Sequence, residues 1–158
     1  MIRTLNSWDT EKIFRIVNLS AKAYEGRIPR DCYHEPYMSR EELIREMRSM
    51  TLFGWMENGR LVGVMGYQPV KDVTLIRHAY ILPEFQRLGI GLKLLEHMRK
   101  LTKTKMLLVG TWADAWAVEF YKKHGFKLMP SKDELLNKYW DISRRKIETS
   151  VVLGCELS

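Results

Sequence analysis

The dipeptide Asn58-Gly59 constrains this chain most. It follows Glu57 and separates two strand-like runs, Thr51 to Met56 and Arg60 to Gln68. Asn-Gly accepts the two positive φ angles that a tight hairpin turn needs, so the runs are expected to pair antiparallel. Pro69 to Asp72 makes the next turn. Val73 to Leu82 is a third strand, and Pro83 stops it because proline cannot donate to a ladder. The middle of the chain therefore reads as an antiparallel meander.

Helical spacing brackets the meander. Asp9 or Thr10 caps a first helix carrying Ile13, Ile16, Val17, Ala21 and Tyr24, which Gly26 to Pro29 breaks. Ser39-Arg-Glu-Glu42 fits a capping box for a second helix with Leu43, Ile44 and Met47 on one face. After the meander, Ile90, Leu94, Leu95, Met98 and Leu101 mark a third helix. Met106 to Val109 reads as a strand buried on both faces. Asp114 to His124 is a further helix that Gly125 closes as a left-handed cap. Phe126 to Met129 and Lys146 to Glu156 read as the last strands, and Ile2 to Leu5 as an additional first one. Asp133 to Tyr139 allows one or two helical turns. The expected fold class is α/β, an α+β mixed sheet that is mostly antiparallel with helices on both faces.

The chain has 158 residues, is 46% hydrophobic and shows no repeat or linker, so residues 1–158 are expected to form one domain. No apolar run reaches the roughly 20 residues of a membrane span. Met1 to Thr10 lacks a signal-peptide core, so the expected location is the cytoplasm, without a membrane partner. Cys32 and Cys155 make neither a disulfide framework nor a zinc spacing, and no metal is expected. The net charge of +7 is dispersed, which argues against a nucleic-acid partner.

One stretch carries chemistry: Ile81-Leu-Pro-Glu-Phe-Gln86-Arg87-Leu88-Gly89-Ile90-Gly91-Leu92 joins a strand to a helix. Glycines admit close backbone approach, and a helix N-terminus offers unpaired N–H groups with positive partial charge. Together they suit phosphate or pyrophosphate, with Arg87 and Lys93 adding attraction. The sequence contains no Walker loop. A dinucleotide fingerprint fails because its third glycine position is Leu94.

The order strand, Pro-Glu-Phe, Gln86-Arg-Leu-Gly89-Ile-Gly91, amphipathic helix resembles the cofactor motif of the GNAT superfamily of N-acetyltransferases. A second segment, Asp114-Ala-Trp-Ala117-Val-Glu-Phe120-Tyr121-Lys-Lys-His124-Gly125-Phe126, is similar to that family's later motif, with Ala117, Tyr121, Gly125 and Phe126 in register. The resemblance covers roughly residues 51 to 130. It implies a GNAT-like fold with a splayed parallel strand pair, acetyl-CoA as co-substrate and an amine acceptor on a small molecule or peptide. It also implies a homodimer as the assembly to test.

By the same resemblance, amides of Gln86, Arg87, Leu88, Gly89, Ile90, Gly91 and Leu92 grip the pyrophosphate. Backbone near Tyr80, Ile81 and Leu82 holds the pantetheine arm and the thioester carbonyl. Asp114 and Ala117 lie against the cofactor, although Asp114 stands where the family often has Asn, and helix capping is its expected role. Tyr121 is the expected acid for the leaving thiolate. The third strand lacks a carboxylate, so the base falls to His78, to His34 or Glu35, or to water acting on an amine that arrives neutral. Arg77 and His78 would face opposite sides of a regular strand. Tyr33, His34 and Glu35, with Asp31 nearby, lie in the loop expected to border the acceptor. A non-catalytic acyl-CoA-binding or sensor domain is the alternative.

Overall fold

The computed structural model describes residues 1–157. The fold is mixed α/β, with a seven-stranded mixed sheet and six α-helices among the described residues. The chain is organised in two compact units. The first comprises Met1–Ala23, His34–Gln68 and Ile76–Thr102; the second comprises Tyr24–Tyr33, Pro69–Leu75 and the chain from Lys103 onward.

In the first unit, β1 (Ile2–Thr4) pairs antiparallel with β2 (Thr51–Glu57), and β2 pairs antiparallel with β3 (Arg60–Val70). Asn58 and Gly59 have φ of 50° and 77°, the hairpin turn that their identities dictate. The following turn is tighter than the sequence suggests. Pro69 lies inside β3, and Lys71 takes the left-handed conformation at φ 55° before β4 (Val73–Ile81) begins.

The first helix starts differently from the expectation. Asn6 caps a short 3-10 turn at Ser7–Asp9, and α1 (Thr10–Ala21) runs directly out of it. Asp9 does not cap α1. Its carboxylate is turned back to accept from the Asn6 N–H at 2.9 Å and from Arg3 at 2.8 and 3.2 Å. In α2 (Arg40–Met47), Ser39 caps as expected, accepting from the Glu42 N–H at 3.1 Å. Ile13, Ile16 and Val17 of α1 and Leu43 of α2 are essentially inaccessible. In α3 (Ile90–Leu101), Ile90, Leu94, Leu95 and Met98 are buried, while Leu101 at the helix end is 40% exposed.

In the second unit, β5 (Met106–Trp112) pairs antiparallel with β7 (Ser150–Glu156), and β7 pairs with the two-residue β6 (Lys127–Leu128). The core gathers Val73, Leu75, Leu108, Leu136, Tyr139 and Val152. The ambiguous segment is a helix, α5 (Lys132–Tyr139). Tyr139 anchors it by donating to Asp72 Oδ1 at 2.6 Å. Residues 146–149, expected as strand, belong to α6 (Arg144–Thr149) instead. Ser143 Oγ accepts from the Lys146 N–H at 3.3 Å and so supplies an N-cap, which overrides the strand preference of Ile147.

The helix expected from Asp114 begins three residues later, as α4 (Ala117–Lys123). Trp112 O accepts the Ala115 N–H at 3.0 Å, and buried Ala115 turns the chain inward before the helix can start. Asp114 is exposed, and its capping role is not realised. The other end of α4 matches expectation. Gly125 has φ 94°, its N–H donates to Lys122 O at 3.4 Å, and the Phe126 N–H donates to Tyr121 O at 3.0 Å. This is a Schellman closure, completed by the Phe126 ring against Tyr121 at 5.1 Å between centroids.

Candidate active site

The turn from Leu82 to Gly89 is built from special backbone. Pro83–Phe85 form one 3-10 turn. Arg87 has φ 64° and Gly89 φ 84°, both left-handed. Gly89 is followed by right-handed helical Ile90, and such a reversal turns successive N–H groups toward one point, making an anion-binding nest. A Cβ on Gly89 would meet nothing within 4 Å. Glycine is favoured there by φ alone. Arg87 and Leu88 are exposed, and Gly91 and Leu92 are half-buried in the first turn of α3. The amides of this first turn have no acceptor within the helix and carry its positive end. Lys93 is committed elsewhere, with Nζ 4.9 Å from the centroid of the Trp55 ring.

The end of β4 is closed by side chains. Ile81 O accepts from Ser20 Oγ and from Gln86 Nε2, each at 3.0 Å. The Leu82 N–H donates to Val62 O at 2.9 Å. That amide is therefore not available to hold a thioester carbonyl, which corrects one expected contact.

β4 departs from regularity at His78, which has φ 53°. A left-handed residue breaks the two-residue alternation of side chains. Arg77 and His78 consequently reach the same carboxylate, not opposite faces as expected. Arg77 Nη2 lies 2.9 Å from Glu46 Oε1, and His78 Nε2 lies 2.6 Å from Glu46 Oε2. Arg77 Nη1 also donates to Gln68 Oε1 at 2.9 Å. The His78 side chain is 12% exposed. Glu46 belongs to α2, so a carboxylate reaches these β4 side chains from a neighbouring helix. The sequence carried a signal for it: Glu46 follows Leu43 by three residues, which sets an acid beside the buried face of an amphipathic helix.

The loop before α2 is ordered by α1. Asn18 Nδ2 donates to Met38 O at 3.0 Å, and the Met38 N–H returns a bond to Asn18 Oδ1 at 2.9 Å. His34 Nδ1 lies 2.8 Å from Pro36 O, and its ring stacks with Tyr37. Glu35 precedes a cis peptide bond to Pro36. It lines a groove of about 580 Å³ together with Phe14, Arg15, Asn18, Tyr37 and Arg40.

In the second unit, Tyr121 is buried at 3% exposure, and Ala117 is half-buried. Burial pushes the Tyr121 hydroxyl above the ordinary tyrosine range, and Tyr24 adds to the effect. The phenol is thus held in its protonated form. Tyr33, half-buried, closes the segment Tyr24–Tyr33. Asp31, a candidate for drawing in a cationic amine, is already engaged by Arg145 at 3.1 and 3.3 Å.

Comparison with known proteins gives a consistent result. An acetyltransferase of the GNAT family from Staphylococcus aureus Mu50 superposes with a TM-score of 0.77 at 15% identity, over 100% of this chain and 99% of that one. PaiA N-acetyltransferase from Thermoplasma acidophilum, solved in complex with coenzyme A, gives a TM-score of 0.74 at 19% identity, over 99% and 98%. The ribosomal-protein-S18-alanine N-acetyltransferase of Escherichia coli gives 0.71 at 18% identity, over 100% and 94%. These likenesses establish the fold. No curated protein sequence matches. The model of the acetyltransferase (GNAT) family matches residues 13–126, and the chain belongs to that family.

Proposed function

We propose that the protein is an N-acetyltransferase that moves an acetyl group from acetyl-CoA to a primary amine of a small molecule or peptide, by direct attack in a ternary complex. The observation that carries this reading is the left-handed turn at Arg87 and Gly89 leading into the first turn of α3, within a family of acetyltransferases. Coenzyme A in the PaiA complex is in keeping with it.

The residues take the following roles. Amides of Arg87 to Leu92 hold the pyrophosphate, whereas the Gln86 N–H donates to Pro83 O at 3.4 Å and is not available to it. Tyr80 and Ile81 hold the pantetheine arm beside β4, and Ala117 and Asp114 border the cofactor. Acetyl-CoA supplies an activated acyl group. His78 accepts the proton that the amine loses as its nitrogen bonds to the carbonyl carbon. Tyr121 donates to the sulfur as the carbon–sulfur bond breaks. A phenol held above its usual range gives up its proton reluctantly, so Tyr121 acts first as a hydrogen-bond donor to the developing thiolate. Tyr33, His34 and Glu35 border the acceptor.

The test is release of coenzyme A, followed by chromatography with a panel of peptide N-termini, lysine peptides, polyamines and amino acids. Amine-dependent release with an acetylated product is the expected result. Tight binding of acetyl-CoA without release on any amine would favour the acyl-CoA-binding alternative. A Glu35→Ala variant with an unaltered KM for the acetylated amine would remove Glu35 from the acceptor site.

A further inference from the structure

The outward face of α1 carries a pattern that acetyl transfer does not use. Ile13, Ile16, Val17, Ser20 and Ala21 are buried, so solvent meets the opposite face. There Arg15, Leu19 and Lys22 stand at i, i+4 and i+7, which puts them on one line along the helix. Lys12 extends that line by a turn. Arg15 and Lys22 are exposed and pair with no carboxylate among the described residues. Lys12 forms no ion pair either, although its charge helps to lower the Asp9 carboxyl. The same face borders the groove of about 580 Å³, whose other wall is the segment from Glu35 to Arg40. Both walls belong to the first unit. They are fixed to each other at two points. Asn18 exchanges two hydrogen bonds with the Met38 backbone. Arg40 donates to both oxygens of Glu11, at 2.7 and 3.1 Å, and its guanidinium lies 4.2 Å from the Phe14 ring centre.

The groove joins apolar carbon from Phe14, Leu19, Pro36 and Tyr37 to a line of cations. Of its two acids, Glu11 is answered by Arg40, and Glu35 stands on the loop wall. The charge left over on α1 is therefore positive. We propose that this groove docks an acidic peptide segment of a partner protein, with an apolar side chain seated at Leu19 between two carboxylates that meet Arg15 and Lys22. The spacing suits such an occupant. Seven helical residues rise about 10 Å, the length of about three residues of extended chain. Opposite charge steers the partner in and fixes its register, while the apolar contact adds affinity. Nucleic acid fits less well, because its binders present a broader basic face and these cations form a single line beside apolar carbon. The inference does not depend on the acetyl-transfer reading, since no residue of the proposed chemistry takes part.

Fluorescence anisotropy on the full chain tests it. The probe is a fluorescein-labelled peptide of about twelve residues, made of Asp and Glu around one central Phe. Its N-terminus is acetylated, so it offers no amine and cannot report acetyl transfer. Saturable binding is expected, weakening about tenfold as salt rises from about 50 to about 300 mM. The double variant Arg15→Glu, Lys22→Glu should bind at least about tenfold more weakly. Both positions are exposed, and urea unfolding checks that the variant is folded. Serine in place of the peptide's Phe should cost about fivefold. Saturating acetyl-CoA should leave the peptide bound. No saturation by about 1 mM peptide, or the same affinity in the double variant, overturns the proposal. So does equal binding of a peptide with Lys for every acid, or tighter binding of a single-stranded oligonucleotide of the same length. Displacement by acetyl-CoA would place the peptide at the turn before α3 and overturn it as well.

Discussion

Gln86 Nε2 and Ser20 Oγ converge on one acceptor, the carbonyl oxygen of Ile81, each at 3.0 Å. The first bond ties the turn before α3 back to the end of β4. The second ties the same point to α1. The strand end and the turn are therefore held together by side chains rather than by a further ladder.

Gln86→Ala should loosen the turn without removing its amides. The affinity for acetyl-CoA is expected to fall about tenfold, roughly 1.4 kcal/mol, with a stability loss of about 1 kcal/mol. Calorimetry and urea unfolding check the two effects separately. Unchanged affinity would mean that the turn is held without this bond.

Tyr121→Phe removes the hydroxyl and keeps the ring against Phe126 and Phe120. Turnover is expected to drop about 10- to 100-fold, with acetyl-CoA affinity retained. Burial raises the Tyr121 hydroxyl above its ordinary range. The wild type should then show no loss of rate from Tyr121 ionisation below about pH 10, the ordinary tyrosine value. A Phe variant as fast as wild type removes Tyr121 from the chemistry.

Asp9→Asn tests the anchor of α1. Arg3 holds the Asp9 carboxyl below the usual carboxylate range, and the Asn6 N–H helps. A depressed folded value stabilises above the ordinary value near pH 4, and the contribution is lost as pH falls through the depressed one. The variant should be less stable by about 1–3 kcal/mol at neutral pH, and the difference should shrink toward zero in acid. Urea titrations at several pH values measure it. A constant difference would show that charge is not its source.

Gly125→Ala places a side chain at φ 94° in the Schellman closure of α4. The expected cost is about 1–2 kcal/mol. That corresponds to a fall in melting temperature of roughly 2–8 °C. An unchanged melting temperature would mean that the closure relaxes without cost.

The sequence was most legible where local chemistry decides. Asn58-Gly59, Ser39 and Gly125 each dictate one turn or cap by themselves, and the structure places all three as their identities require. Gly89 belongs with them. Legibility failed where a distant or competing partner decided. Asp9 was drawn from the cap of α1 by Arg3, and the helix expected at Asp114 was delayed by the burial of Ala115. Residues 146–149 lost their strand preference to the Ser143 cap. The site shows the same division. The glycine turn could be read directly, whereas the Glu46–His78 contact needed a left-handed strand residue that no periodicity announces.

In the proposed reaction the turn from Gln86 to Leu92 receives the pyrophosphate of acetyl-CoA. Gly91 lies in the first turn of α3 with ordinary helical backbone, so Gly91→Trp blocks the amides without imposing the φ strain that any change at Gly89 would bring. Calorimetric titration of acetyl-CoA into the wild type and this variant is the most direct measurement. Saturable binding by the wild type, lost in a variant that unfolds at the same urea concentration, is the expected result. Equal binding by both proteins, or none by folded wild type, would contradict it.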